Sequence, residues 1–236
     1  MASLDSIQTK WIELFEDLSS DPKMKHRVAS PFLSVSAFNA RSILYVGKAT
    51  RGRWGKTPCG STREQIRRGR EFTTKFLTND APRYNSGFWR FARKLSAEAS
   101  KKWGLPTENA VQHIAWTNIL KIGARKGNPH GLLRQRQEDL AVETLRCEIE
   151  SARPKLIYFV TGDYDYDVIG KLIGDTKHRS WKKRQGMWWR LPADGLPAVL
   201  WTYHPQGKSK ETLHKWLRMA SELLPRGEAT DRLDHT

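Results

Sequence analysis

The chain alternates short apolar runs with longer amphipathic stretches, and that alternation restricts it to one class of fold. Ser42-Ile43-Leu44-Tyr45-Val46 reads as a buried strand ending at Gly47. Val111 to Asn118 reads as a second strand, Lys155 to Thr161 as a third and Ala198 to Tyr203 as the last, with an extra strand expected at Gly186 to Arg190. Short continuous apolar runs bounded by turn residues suit strands covered on both faces. Between them, apolar residues recur at helical spacing: Ile7, Trp11, Leu14, Phe15 and Leu18 in an N-terminal helix over 3–19, then helices over 62–76, 88–102, 132–152, 165–173 and 209–224. Strands separated by helices require right-handed crossovers, which build a mainly parallel sheet with helices on both faces. The expected fold is therefore α/β, a three-layer α/β/α arrangement around a central, mainly parallel four-stranded sheet. One domain is expected over 1–236, with its core at 41–224 and a loose polar tail at 226–236.

In such sheets ligands gather beyond the carboxyl ends of the strands. The residues standing there are Gly47-Lys48-Ala49-Thr50, Asn118, Gly162-Asp163 and His204-Pro205. An asparagine donates and accepts at once, so it can read two adjacent edge positions of a heterocycle. A histidine can hydrogen-bond to, or stabilise charge on, a departing base. A glycine turn lets backbone N–H groups approach a phosphate or base closely.

Charge points to a polyanionic partner. The formal net charge is +16, and it is uneven: residues 1–40 carry 4 Lys/Arg against 5 Asp/Glu, whereas residues 41–104 carry 16 against 4. The basic residues cluster as Arg51, Arg53 and Lys56, then Arg63, Arg67, Arg68 and Arg70, then 177–190 with Trp181, Trp188 and Trp189, and finally Lys208 and Lys210. Cations interleaved with aromatics suit a groove that tracks a nucleic-acid backbone. The plainer reading is a solvated basic face. The two cysteines, Cys59 and Cys147, form no CxxC or Cys/His cluster, so neither a metal site nor a cofactor is expected. With no signal peptide and no apolar run near ~18 residues, the expectation is a cytoplasmic monomer, associated with the nucleoid through DNA.

Several segments, in order, resemble the uracil-DNA glycosylase superfamily. Ile43-Leu44-Tyr45-Val46-Gly47 and the loop after it look like its first motif. Trp116-Thr117-Asn118-Ile119-Leu120-Lys121, with 125–129 following, is similar to the asparagine-bearing second strand, especially of the iron–sulfur branch. Asn85-Ser86-Gly87-Phe88-Trp89-Arg90 resembles the Asn-x-Phe-Trp run of the mismatch-specific branch. Pro154 to Gly162 resembles the third strand, and Thr202-Tyr203-His204-Pro205-Gln206 the His-Pro motif that opens the DNA-contacting loop. The resemblance spans roughly 41–223. It implies a DNA glycosylase that flips a nucleotide out of the helix and breaks its N-glycosidic bond.

On that reading Asn118 reads the base edge, beside Gly47, while Tyr84 and Phe88 are candidates to stack on it. His204 and Lys48 stabilise the leaving base, and Asp163 is the candidate to activate water. Arg51, Arg53, Lys56, Arg125, Lys208 and Lys210 contact DNA. Phe88 also shares helical spacing with Phe91, Ala92 and Leu95, which is the pattern of a core residue.

The chain departs from the family at its first motif, where Lys48, Ala49 and Thr50 replace the usual acid or amide and proline, and it lacks the iron–sulfur cysteines. These departures suggest a modified or damaged base rather than uracil, such as a hypermodified base of bacteriophage DNA met in antiphage defence. The alternatives are a DNA-binding protein that kept the fold without catalysis, a conventional uracil-DNA glycosylase of base excision repair, and a nuclease using Asp163, Asp165 and Asp167. Chelator sensitivity separates the last. Binding to unmodified duplex is expected to weaken steeply with added salt, because each neutralised phosphate releases counterions. A flat response in a salt titration overturns the electrostatic groove.

Overall fold

A computed structural model describes residues 4–25, 28–31, 43–51, 62–81, 83–164, 166–175, 181–192 and 196–224. Their helices are α1 (Leu4–Ser20), α2 (Thr62–Lys75), α3 (Gly87–Trp103), α4 (Gly131–Gln135), α5 (Glu138–Ala152), α6 (Tyr166–Ile173) and α7 (Lys210–Leu223). The strands are β1 (Val28–Pro31), β2 (Ile43–Arg51), β3 (Ile114–Ala124), β4 (Leu156–Phe159), β5 (Lys182–Arg184), β6 (Met187–Arg190) and β7 (Ala198–Thr202). The tail at 226–236, Arg53, Lys56, Cys59 and Asp165 lie outside the described residues.

The fold is α/β, but its sheet has seven strands in the order β1-β3-β2-β4-β7-β6-β5 and is mixed, not four-stranded. The four strands expected from sequence run parallel at its centre. Two additions widen it. β1 pairs antiparallel with the end of β3, and the β5–β6 hairpin adds antiparallel to β7. β6 was legible as the extra strand. β5 was not, because its Lys-Lys-Arg sequence is exposed throughout and shows no alternation.

The two faces of the sheet are read by strict alternation. Ile43, Tyr45, Leu156, Tyr158, Ala198 and Leu200 pack in one apolar cluster with residues of α3 and α7. Leu44, Val46, Ile157, Phe159, Val199 and Trp201 pack in another with α1, α5 and α6. β4 and β7 are buried along their whole length, which is why they appear as unbroken apolar runs rather than alternating ones.

Three expected boundaries are corrected. β2 does not end at Gly47 but pairs on with β3 as far as Arg51. The second strand starts later than Val111, after a 3-10 turn at Ala110–His113, and runs through to Ala124, so Asn118 lies inside a strand and not at its tip. The helix expected over 132–152 is two helices. Between them the buried Gln137 accepts from Ile122 N at 2.9 Å and donates to Ile122 O at 3.1 Å, so its amide pairs with β3 as a neighbouring strand would.

β3 also carries a fully buried lysine. Lys121 Nζ lies 2.7 and 3.0 Å from the two carboxylate oxygens of Glu148 on α5, 2.6 Å from Thr117 Oγ1 and 2.7 Å from Asn118 O. Both ionic side chains are wholly inaccessible. Burial pushes the Glu148 carboxyl up and the Lys121 ammonium down from their ordinary values, and their attraction opposes both shifts. Lys121→Met alone is expected to cost about 3–5 kcal/mol, since it strands a buried carboxylate. Lys121→Met with Glu148→Leu is expected to recover most of that. Denaturant titration of the three proteins checks it, and an additive double variant refutes the pairing.

Candidate active site

A cleft of about 400 Å³ opens beside the middle of β2 and β3. That volume lies within the range of small-ligand sites. β2 contributes Gly47, Lys48 and Ala49, and β3 contributes Trp116 and Asn118. Ser86, Phe88 and Trp89 enter from the start of α3, His204 and Gln206 from the loop after β7, Tyr84 from the loop before α3, and Asn128 from the loop after β3.

Gly47 and Asn118 are register partners on adjacent parallel strands. A Cβ built on Gly47 would stand 2.5 Å from Asn118 Oδ1 and 3.5 Å from the Phe88 ring. The asparagine amide therefore folds over the glycine, and no other residue at 47 leaves it there. Asn118 is 4 % exposed, and its Nδ2 has no hydrogen-bond partner among the described residues. A buried N–H without a partner costs about 1–3 kcal/mol, and such groups in native proteins call for a reason. Its main-chain oxygen, by contrast, accepts from Lys121 Nζ. The backbone at this position is tied down, and the side chain belongs to the lining of the cleft.

Aromatic rings form the opposite wall. Phe88 stacks on His204, with centroids 5.4 Å apart and planes 25° from parallel. Tyr45 meets Phe88 edge-on at 4.7 Å and donates through its hydroxyl to Phe88 O at 3.3 Å. Burial, with Tyr158 nearby, raises the Tyr45 phenol well above its ordinary value, so it remains a donor. Trp89 and Trp116 cross edge-on at 5.0 Å behind Phe88. His204 Nδ1 accepts from the Gln206 backbone N–H at 3.2 Å. In the neutral ring that bond puts the proton on Nε2. The loop can approach because Gly87 has no side chain: a Cβ there would be 3.1 Å from Gln206 Cα and 3.3 Å from Pro205 O. Ser86 caps α3, accepting from Trp89 N at 3.3 Å.

Of the residues expected from sequence, Gly47, Lys48, Tyr84, Phe88, Asn118 and His204 meet in this cleft. Phe88 is half-buried, and it both packs against the core cluster and lines the cleft. Tyr84 is 54 % exposed and meets Phe76 edge-on. Lys48 Nζ lies 5.4 Å from the centroid of Tyr164. Asp163 is exposed and is not among the lining residues. Arg125 is exposed and donates to Val28 O at 3.2 Å. Lys208 and Lys210 are exposed on the His-Pro side. Arg51 ends β2, and its side chain lies outside the described residues, as do Arg53 and Lys56. On α2, Arg67 pairs with Glu64 and Glu71, and Arg68 with Glu64, so part of that basic surface is neutralised internally. The hydrogen bonds from Arg67 and Arg68 hold the Glu64 carboxyl at about 2.

No carboxylate lines the cleft among the described residues, and residues 48–62 contain neither Asp nor Glu. Nor do three His, Cys, Asp or Glu side chains come together among the described residues as a metal would require. Ser86, Trp89, Trp116, Lys121 and Gln206 stand in the sequence inside motifs with no site role of their own, and Asn128 only within 125–129; of these, all but Lys121 line the cleft. Trp116 was within reach, because two residues along a strand share a face. Asn128 and Gln206 sit in loops whose course no pattern predicts.

No model of a known protein family matches the chain, and no curated protein matches it. The residues of the cleft carry the functional argument by themselves.

Gly47→Ala is expected to displace the Asn118 amide and to destabilise the fold by about 1–3 kcal/mol through overpacking. If Asn118 has the base-reading role expected from sequence, base-dependent binding falls about 10-fold or more, while salt-dependent binding to plain duplex persists. Retention of base-dependent binding in a folded Gly47→Ala protein, followed by titration and calorimetry, would refute the role given to Asn118.

Proposed function

We propose that this protein is a DNA glycosylase that flips a modified or damaged base into the cleft and cleaves its N-glycosidic bond. One observation carries the reading: Asn118, whose buried Nδ2 has no hydrogen-bond partner among the described residues, lines a ring-walled cleft that also holds a histidine. A flipped base offers edge acceptors to the amide and π-faces to the rings. The three-layer arrangement implied by the uracil-DNA glycosylase resemblance agrees with four parallel central strands and apolar clusters on both faces of the sheet.

In this mechanism the bond breaks towards a sugar cation and a base anion. His204 donates a hydrogen bond from Nε2 to the leaving base, and Lys48 adds positive charge from β2. No acid among the described residues lines the cleft, so the phosphates of the bound strand stabilise the cation. Water then adds to the sugar carbon and gives its proton to the released base anion, without a protein base.

A second reading has a specific observation behind it. The absence of a lining carboxylate is also what a non-catalytic DNA-binding descendant would show.

The deciding experiment incubates the protein with DNAs carrying different modified bases, then uses alkali cleavage and mass spectrometry to detect released bases. Asn118→Ala should reduce release roughly 10- to 100-fold with nonspecific binding intact. His204→Ala should reduce it on the order of 100- to 1,000-fold, and Asp163→Asn should leave it nearly unchanged. Borohydride will trap a covalent adduct only if the Lys48 amine attacks the sugar. If the intact protein binds DNA and releases no base from any of them, the binding-only reading replaces this one.

A further inference from the structure

Beside the cleft lies a second surface that the cleavage chemistry does not use. Tyr203 immediately precedes His204, and it is 39 % exposed. Lys208 Nζ stands 5.0 Å from its ring centroid, and Trp188 meets it edge-on at 5.5 Å. Lys183 Nζ lies 4.7 Å from the centroid of Trp188, its register partner across the β5–β6 hairpin. The four side chains make a continuous series of cation, ring, ring and cation.

The series is rigidly mounted. The hairpin turns at Gln185 and Gly186, both at positive φ, and Gln185 O accepts from Trp216 Nε1 of α7 at 3.0 Å. Gly162 leaves room for the tyrosine ring: a Cβ there would lie 3.0 Å from Tyr203 Cδ1. Lys182, Lys183 and Arg184 are all exposed along β5. An aromatic ring held open to solvent between cations suits one kind of ligand. Nucleobases stack on such rings without regard to sequence, and the cations meet the phosphates on either side. A base inside a duplex keeps both faces stacked on its neighbours, so this ring is available only to an unpaired one.

Resting on the nucleic-acid reading of the cleft, we propose that Tyr203, flanked by Lys208, Trp188 and Lys183, is a stacking subsite for an unpaired nucleotide of the DNA strand that enters the cleft. The protein therefore prefers single-stranded or locally opened DNA. Chain continuity from Tyr203 to His204 puts the subsite one residue from the cleft wall.

The test measures fluorescence anisotropy with an end-labelled oligonucleotide that holds only ordinary bases, single-stranded and as a duplex, so that the readout does not depend on cleavage. Tyr203→Ala is expected to weaken single-strand binding about 10- to 100-fold and duplex binding less than about twofold. Tyr203→Phe, which keeps the ring, is expected to bind as the wild type does. Lys183→Glu should weaken both forms. Unchanged single-strand binding by Tyr203→Ala overturns the subsite, as does an equal loss on both forms that Tyr203→Phe fails to restore. Tighter binding of an RNA strand of the same sequence overturns the assignment to DNA. Each of these outcomes leaves the glycosylase reading standing, whereas a wild-type protein that binds no oligonucleotide ends both.

Discussion

The candidate site depends on an ion pair that never meets water. Lys121 is fully buried on β3, and its ammonium has four oxygen neighbours within 3.0 Å: both carboxylate oxygens of Glu148, the Thr117 hydroxyl and the Asn118 carbonyl. An isolated lysine could not remain charged in such surroundings, and the bonds around it are what make burial tolerable. The pair joins α5 to β3 and fixes the carbonyl of the residue whose side chain faces the cleft. Replacing such a pair by apolar residues is often neutral or stabilising in general, so stability alone gives little reason for it. Holding Asn118 at one height against Gly47 gives a better one. A hydrogen-bonding amide discriminates between bases only if it cannot slide.

The opposite side of the cleft is held by packing rather than charge. Gly87 lets the start of α3 abut the His-Pro loop, and Phe88 stacks on His204 across that junction. The histidine is oriented twice, by the ring against it and by the Gln206 N–H on Nδ1. Preorganisation of this kind matters most for a group that stabilises charge, because a donor that must reorient during the reaction loses much of its value. The cleft thus has one wall fixed by a buried ion pair and another fixed by ring packing. Glycines stand at the closest approach on each.

Much of this was legible in the sequence, and the reasons for the rest are specific. The four central strands announced themselves because burial on both faces made them continuous apolar runs. Gly47, Asn118 and His204 are legible because they follow such runs, and Phe88 because it stands in the Asn-x-Phe-Trp run before a helix. Asn118 was nonetheless placed at a strand tip. The polar residues Thr117, Asn118 and Lys121 broke the apolar pattern there, and nothing in the sequence says that Glu148, 27 positions on, satisfies the lysine. β1 and β5 escaped because edge strands need bury little. The Arg136–Gln137 break escaped because the glutamine's partner is the backbone of β3. Asp163 was considered for the water because it alone supplied an acid at a core strand end, and the fold leaves it exposed outside the cleft lining.

The missing carboxylate and the excess positive charge belong to one argument. On the proposed glycosylase reading, a departing base leaves a cation on the sugar, and a site lined by Lys48 and His204 would stabilise the anion but not that cation. In a protein of net charge +16 the bound strand brings its own negative charge, with phosphates on both sides of the reacting sugar. An acid in the cleft would help the cation yet repel the same phosphates and the base anion as it forms, in a medium where such repulsion is poorly screened. On the same reading a cationic cleft takes the opposite course: it would bind the polyanion strongly and let the substrate supply the stabilising charge. Catalysis on these terms would require the phosphates to be held in register with the flipped sugar.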